Sequence, residues 1–394
     1  MLQQKHINII KSLAPILHET GPALTDHFYG RMFKHNPELK HIFNMSNQES
    51  GAQKAALFAA IAGYVQHIDD LPALQTAVER IAQKHTSFHI QPAMYDIVGY
   101  HLTETLRELT GDLFTPEVEE AWLAAYQLLA GVFVNREGDL YKQRAATTGG
   151  WIGSRDFVVK SKTRESELVI SFVFEPRDNG PVIDYQAGQY LGLEVNPEGH
   201  EYTEIRQYSL SDKPNGKTYR ISVKRETHGV PGVVSNYLHK NINEGDIVKL
   251  HSPAGDFFLV DRNTPVVLVS AGVGVTPMQA MLEKLSAEKY PHDVYYLHAC
   301  ENESQHSFAH RTRQLTQETN RHAYTWYADL HHATSANTLP GFMDFDRVKL
   351  PFGYANFYLC GPVPFMKFVK EQLLSHGVTE ERIHYEVFGP HASF

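Results

Sequence analysis

The scarcest residue in this chain is cysteine, present only as Cys300 and Cys360, far apart and without metal spacing. That excludes a disulfide scaffold and gives no support to a zinc or iron–sulfur site. Long apolar runs are also missing: no stretch in the 394 residues has the roughly 18 consecutive apolar residues of a membrane-spanning helix. The opening Met1-Leu2-Gln3-Gln4-Lys5-His6 lacks the apolar core of a signal peptide. A cytoplasmic protein without integral membrane association is therefore expected. Excess positive charge is absent as well. A formal net charge of −9 argues against nucleic acid or an anionic membrane as the main partner.

What is present describes a soluble globular chain, with 42% hydrophobic and 21% charged residues. Its 394 residues exceed one ordinary core, so two or three domains are expected. Histidine is abundant, at 23, and for most of these a compositional habit is sufficient explanation.

From Ile7 to about Tyr141 the apolar periodicity is helical. Thr20-Gly21-Pro22, Asn36-Pro37, Gln91-Pro92 and Thr115-Pro116 each place Pro where a first helical turn begins, with Asn36 and Thr115 as the best polar caps. Tyr29 continues the apolar face of the second helix. Phe43 follows a short helical turn. Gln53 and Leu57, four apart, share one helical face. On the last helix Trp122, Tyr126, Leu129 and Phe133 repeat at helical spacing, and Glu137 falls next in the row. A carboxylate on a buried face costs free energy unless something pairs with it. Each position also has a plain alternative: Tyr29 and Phe43 as core aromatics, Gln53 and Lys84 at the surface, Glu137 at a solvated helix end.

After Tyr141 small residues and the pair Gly149-Gly150 mark a boundary, and period-2 alternation begins. Phe157–Lys160, Leu168–Phe174, Tyr190–Val195, Arg206–Leu210, Tyr219–Lys224 and Asp246–His251 read as short strands of an antiparallel barrel. Alternation puts Arg206, Tyr208 and Leu210 on one face and Gln207 and Ser209 on the other. Arg suits a pyrophosphate, Tyr offers an aromatic face for a flavin ring, and Ser209 suits a ring nitrogen or carbonyl. Ser235 lies where the loop after Lys224 enters a helical run from Asn236, a step that supplies backbone N–H groups for phosphate.

Pro265–Ser270 is a continuous apolar run, as expected of a buried parallel strand. It enters Gly272-Val273-Gly274-Val275-Thr276-Pro277, a Gly-x-Gly-x-x-Pro turn with Thr276 as cap and Pro277 at the first helical position. That turn suits a pyrophosphate at a helix N-terminus. Asp293–Ala299 and Phe357–Cys360 are further strands. Glu301, after the second of the three, suits a free ribose hydroxyl and repels a 2′-phosphate, so NADH is expected to be preferred over NADPH.

Together these residues resemble the flavohaemoglobin family of bacteria and yeast. The resemblance rests on Asn36-Pro37-Glu38-Leu39, Ile42-Phe43-Asn44-Met45 and Gln83-Lys84-His85-Thr86-Ser87-Phe88. The segments Gly188-Gln189-Tyr190-Leu191 and Arg206-Gln207-Tyr208-Ser209-Leu210 are similar to the flavin domain of ferredoxin–NADP reductases. It implies three domains: an all-α globin over 1–142, a linker over 143–150, an antiparallel β-barrel for FAD over 151–260, and a parallel-sheet α/β domain for NAD(P) over 261–394. It implies His85 as proximal ligand of haem b, with Phe43, Tyr29, Gln53 and Leu57 around the haem and Tyr95 and Glu137 as a relay behind His85. Lys84 would pair with a propionate or with Glu386 of the terminal segment Glu386-Val387-Phe388-Gly389-Pro390, in which Phe388 lies beside the flavin. Where the family often has Cys, this chain has Val387, so no thiol role is assigned. The loop Thr227–Gly232 looks longer than the family's usual turn, which leaves its phosphate contacts open. The implied activity is nitric oxide dioxygenase: NADH or NADPH reduces FAD, FAD reduces haem iron, and NO and O₂ give nitrate. A monomer is expected. Two rivals are an NADH-driven reductase of flavins, ferric iron or peroxides, and a haem-based O₂ or NO sensor. The sensor is disfavoured because everything beyond the helical part reads as reductase.

Overall fold

The computed structural model describes residues 2–45, 48, 51–227, 231–260, 262–330 and 336–389, with the backbone alone at 22. The chain divides into two compact units, Met1–Ser154 with Glu194–Arg206, and Arg155–Leu193 with Gln207–Phe394.

In the first unit the described helices are α1 (Gln4–Ser12), α2 (Ala14–His35), α3 (Ala52–Gln66), α4 (Gln75–Thr86), α5 (Pro92–Thr110) and α6 (Pro116–Ala146). A 3₁₀ turn spans Pro37–His41. Two expected boundaries differ. Gly21-Pro22 does not start a helix, because α2 runs straight through it. An interior Pro costs about 3 kcal/mol. Burial of Leu17, Leu24, Phe28 and Met32 along the same helix, worth roughly 1.5–3 kcal/mol for each side chain, outweighs that. Gly21 serves packing: a Cβ there would come within 3.1 Å of the Phe58 ring on α3. Asn36 does not cap its turn either. Its amide donates to Glu38 and its carbonyl oxygen meets His101 Nε2 at 2.9 Å. Thr115 does cap α6, accepting from the Val118 N–H.

The strands β1 (Ser154–Arg164), β2 (Val169–Pro176), β3 (Tyr190–Val195), β4 (Glu204–Ser209), β5 (Tyr219–Lys224) and β6 (Ile247–His251) form one six-stranded sheet in the order β4-β3-β6-β1-β2-β5. The pairs β1/β2 and β2/β5 are antiparallel. Helix α7 (Val233–Asn241) begins three residues before the expected Asn236.

The remaining strands are β7 (Val266–Ala271), β8 (Val294–Cys300), β9 (Arg321–Tyr327), β10 (Thr338–Pro340), β11 (Asn356–Cys360) and β12 (Ile383–Glu386). They form a second sheet in the order β10-β9-β8-β7-β11-β12, parallel at each pairing. Helices α8 (Val275–Ala287), α9 (Ala309–Leu315) and α10 (Val363–Ser375) belong to this region. The apolar run at Val266–Val269 is at most 3% exposed, as a central parallel strand requires. Strands β9, β10 and β12 carry polar or mixed residues, and for that reason the apolar-run criterion passes over them. Thr276 is not the cap of α8. The helix starts at Val275, and the Thr276 hydroxyl donates to the Val273 carbonyl.

Candidate active site

In the helical unit three helices bring one titratable side chain each to a single point. His85 is on the last turn of α4, Tyr95 on the first turn of α5, and Glu137 two-thirds along α6. His85 Nδ1 lies 2.8 Å from Glu137 Oε1 and 2.9 Å from the Tyr95 hydroxyl, and that hydroxyl donates to the same carboxylate oxygen at 2.5 Å. An ionised carboxylate only accepts, so Nδ1 carries the proton and donates. The Nε2 lone pair is then left for another partner. Glu137 is 2% exposed, whereas the His85 side chain is 33% exposed. The imidazole is thus anchored at one nitrogen and presented at the other, the donor set a haem iron takes from a proximal histidine. Burial, reinforced by the Glu137 charge, raises the Tyr95 phenol well above its usual range and keeps it a donor. The Tyr95 carbonyl is held in turn by the Tyr126 hydroxyl at 2.5 Å.

Tyr29 on α2 is 4% exposed, with its ring against Phe28, Phe33 and Phe43. Burial pushes its pKa up to about 12, against a smaller opposing effect of the neighbouring Gln53 side chain. The hydroxyl therefore remains a proton donor at neutral pH. Gln53 and Leu57 sit on α3, and Leu57 packs against the helical core. Lys84 is half-buried, and its carbonyl accepts from Ser87.

The sequence reading misses several residues here. Arg144, Arg136 and Glu79 join α6 to the helix of His85. A signal exists for Arg144. The row through Phe133 and Glu137 continues at helical spacing to Leu140 and Arg144, all four buried. The helix outlasts the expected end near Tyr141 for that reason.

On β4, Arg206 Nη1 pairs with Glu204 Oε2 at 2.7 Å and donates to the Ile205 carbonyl, while Ser209 is buried and Gln207 and Tyr208 are half-buried. Tyr190 exchanges backbone hydrogen bonds with Ala254. The Ser235 hydroxyl is occupied by its own turn, accepting from Glu226 N and donating to Gly232 O. The first backbone N–H groups of α7 are what this turn offers to phosphate. Residues 228–230 of the adjoining loop lie outside the described residues.

In the parallel sheet the chain leaves β7 toward β8 on one side and returns to β11 on the other. Ligands of such sheets bind beyond the carboxyl ends of the strands at this switch point. Gly272 is exposed there, with φ +53°. A Cβ on Gly274 would lie 2.2 Å from the Cys360 carbonyl oxygen. Only glycine lets the turn after β7 close against the turn after β11. Val273 is half-buried, and Val275, Thr276 and Pro277 are buried in the first turn of α8. Glu386 is buried and pairs in register with Cys360, Val387 is buried, and Phe388 is 44% exposed. Gly389 has φ +119°. Pro390 lies outside the described residues.

An imidazole backed by a buried carboxylate, an antiparallel sheet carrying an Arg-x-Tyr-Ser strand and a parallel sheet with a glycine-lined switch point define a haem- and flavin-dependent oxidoreductase. Family models match in the same order: Globin over residues 26–133, Oxidoreductase FAD-binding domain over 156–259, and Oxidoreductase NAD-binding domain over 268–371. The flavohemoprotein of Vibrio cholerae is 58% identical over 394 residues, covering 100% of this chain and 99% of its own. The crystal structure of a flavohemoglobin from Malassezia yamatoensis, with bound FAD and heme, superposes with TM-score 0.88 at 29% identity, over 98% of this chain and 100% of that one. The FAD/NAD-binding domain of a nitric oxide dioxygenase from Vibrio cholerae is 53% identical with TM-score 0.57, over 60% of this chain and 99% of that one. The chain belongs to the flavohemoprotein family, with haem, FAD and NAD as its cofactors. No helix among the described residues is long and apolar enough to cross a membrane.

Proposed function

We infer that this chain is a nitric oxide dioxygenase, converting NO and O₂ to nitrate with electrons from NADH. One observation carries the reading. The buried Glu137 carboxylate accepts from His85 Nδ1, in a chain that also has FAD- and NAD-binding domains. When bound, haem supplies an iron that takes up O₂, and the flavin divides a hydride from NADH into single electrons. Everything else falls to side chains.

His85 would hold the iron through Nε2. Its Nδ1 proton, shared toward Glu137 Oε1, makes the imidazole a stronger electron donor, which favours oxygen chemistry over storage. Tyr95 donates to the same oxygen and fixes the carboxylate's orientation. On the distal side Tyr29 holds its proton at neutral pH and donates a preorganised hydrogen bond where negative charge develops, with Gln53 orienting the phenol and Leu57 and Phe43 excluding water. In the reductase, Arg206, Gln207, Tyr208, Ser209 and Tyr190 would hold FAD, together with the turn at Ser235. Gly272–Pro277 would hold the NADH pyrophosphate, and the segment from Glu386 would lie beside the flavin. Glu301 favours a free ribose hydroxyl, so NADH is the preferred donor; an equal or higher kcat/KM with NADPH would reject that preference.

The test is NADH-dependent loss of NO under air with nitrate as product. A ferric, flavin or peroxide reductase would retain its turnover after His85→Ala, and a dioxygenase would not.

A further inference from the structure

The helix that carries His85 is fastened to the helix that carries Glu137 by a buried guanidinium that also anchors the chain leaving the helical unit. Arg144, 7% exposed, lies two turns beyond Glu137 on α6. Its Nη1 donates to Thr86 Oγ1 and its Nη2 to Gln83 Oε1, both at 2.6 Å. These two acceptors flank His85 in sequence, and Thr86 donates onward to the Gln83 carbonyl. The backbone of Arg144 is engaged too. Thr147 N donates to the Arg144 carbonyl at 3.1 Å, and Gly150 N donates to Thr147 O at 2.9 Å. A Cβ on Gly150 would lie 1.8 Å from that same Arg144 oxygen, so only glycine allows the exiting turn to fold back so tightly.

We propose that Arg144 is a positioning residue: it sets how closely His85 Nδ1 is held to Glu137 and couples that contact to the turn at residues 147–150. The reason is geometric. His85 sits on the last turn of α4, where a helix frays most easily, and a hydrogen bond to a charged group weakens steeply as it lengthens. With the guanidinium in place, α4 cannot slide along α6 without breaking two charge-assisted bonds. A displacement of the 147–150 turn moves the Arg144 carbonyl, hence the guanidinium, hence the pair of residues on either side of His85.

The proposal rests on His85 being the iron ligand, and its test separates the two. The readout is the iron–histidine stretching band of the ferrous, haem-loaded full-length protein by resonance Raman, taken with thermal melts. Glu137→Gln, which removes the carboxylate's charge, is expected to lower the frequency most. Arg144→Met is expected to lower it by part of that shift, Arg144→Lys to restore part of the loss, and Gly150→Ala to shift it in the same direction as Arg144→Met. If Arg144→Met fails to fold, Arg144→Lys and Gly150→Ala still decide the matter. A lowered melting temperature with the band unmoved in the Arg144 and Gly150 variants, while Glu137→Gln moves it, would overturn the proposal and leave the ligand assignment standing. Persistence of the band in His85→Ala would overturn both.

Discussion

The helical unit and the nicotinamide-binding sheet hold their chemistry in opposite ways. In the helical unit the site is made of side chains. His85, Tyr95 and Glu137 come from three helices and meet within 2.9 Å of one another. In the parallel sheet the site is made of backbone, two turns closing at Gly274 against the Cys360 carbonyl. A side-chain site tolerates changes in degree, because each substitution alters one donor or acceptor. A backbone site fails by collision. The difference matches the ligands proposed for them: an iron needs a tuned lone pair, whereas a pyrophosphate needs N–H groups and room.

That contrast can be broken by experiment. The largest effect is expected from His85→Ala, which should abolish NO consumption while NADH-driven reduction of an artificial acceptor continues. Loss of both would mean the two regions are not separable. Next is Gly274→Ala. A methyl forced against Cys360 O costs about 1–3 kcal/mol, roughly 5- to 150-fold in kcat/KM for NADH when it falls on the bound turn. The Soret band of the haem should be unaltered, and an unchanged kcat/KM would show that the turn relaxes freely. Glu137→Gln should slow NO turnover by about 10–100-fold, typical of losing a partner behind a metal ligand, with acceptor reduction untouched. Tyr29→Phe removes one hydrogen bond of about 1–1.5 kcal/mol, so the O₂ off-rate, measured by stopped flow, should rise roughly tenfold. A rate equal to that of the parent chain would remove Tyr29 from its role.

The smallest effect is a matter of pH and falls on the reductase alone. His298 is 1% exposed and its pKa is held well below the usual value by burial, while His306 is pushed down to about 4 for the same reason. A histidine with a depressed folded pKa is stable neutral and must be charged as acid is added. Its contribution is present above the unfolded value near 6.5 and is lost as pH falls toward 4. The melting temperature of the reductase should therefore drop across that window, and His298→Gln should flatten the drop. An equal acid slope in the variant would assign the loss elsewhere.

Much of this was legible without coordinates. The row Trp122–Tyr126–Leu129–Phe133–Glu137 places a carboxylate on a buried face, and Glu137 is 2% exposed. The six barrel strands lie within a few residues of their alternating segments. What escaped has identifiable causes. Pro22 reads as a helix start, yet α2 passes through it because burial on both sides outweighs the proline. Strand β9 escapes because Arg321-His322-Ala323-Tyr324-Thr325 has no apolar run, although β8 pairs with it in parallel. Arg144 escapes because a charged residue near a helix end reads as solvated; the row through Phe133, Glu137 and Leu140 points to its burial, and its acceptors on α4 show what it is buried against.

The chain by itself determined its periodicities, its glycine turns and the residue types suited to iron, flavin and pyrophosphate, because these are local properties of spacing and chemistry. Only the tertiary structure decided which atoms meet. That His85 Nδ1 faces Glu137, leaving Nε2 for a metal, depends on the register of α4 against α6, two helices whose contacting residues stand 52 positions apart. That register is fixed by packing, by the Arg136–Glu79 pair and by the Arg144 guanidinium, none of which is written in any one stretch of sequence.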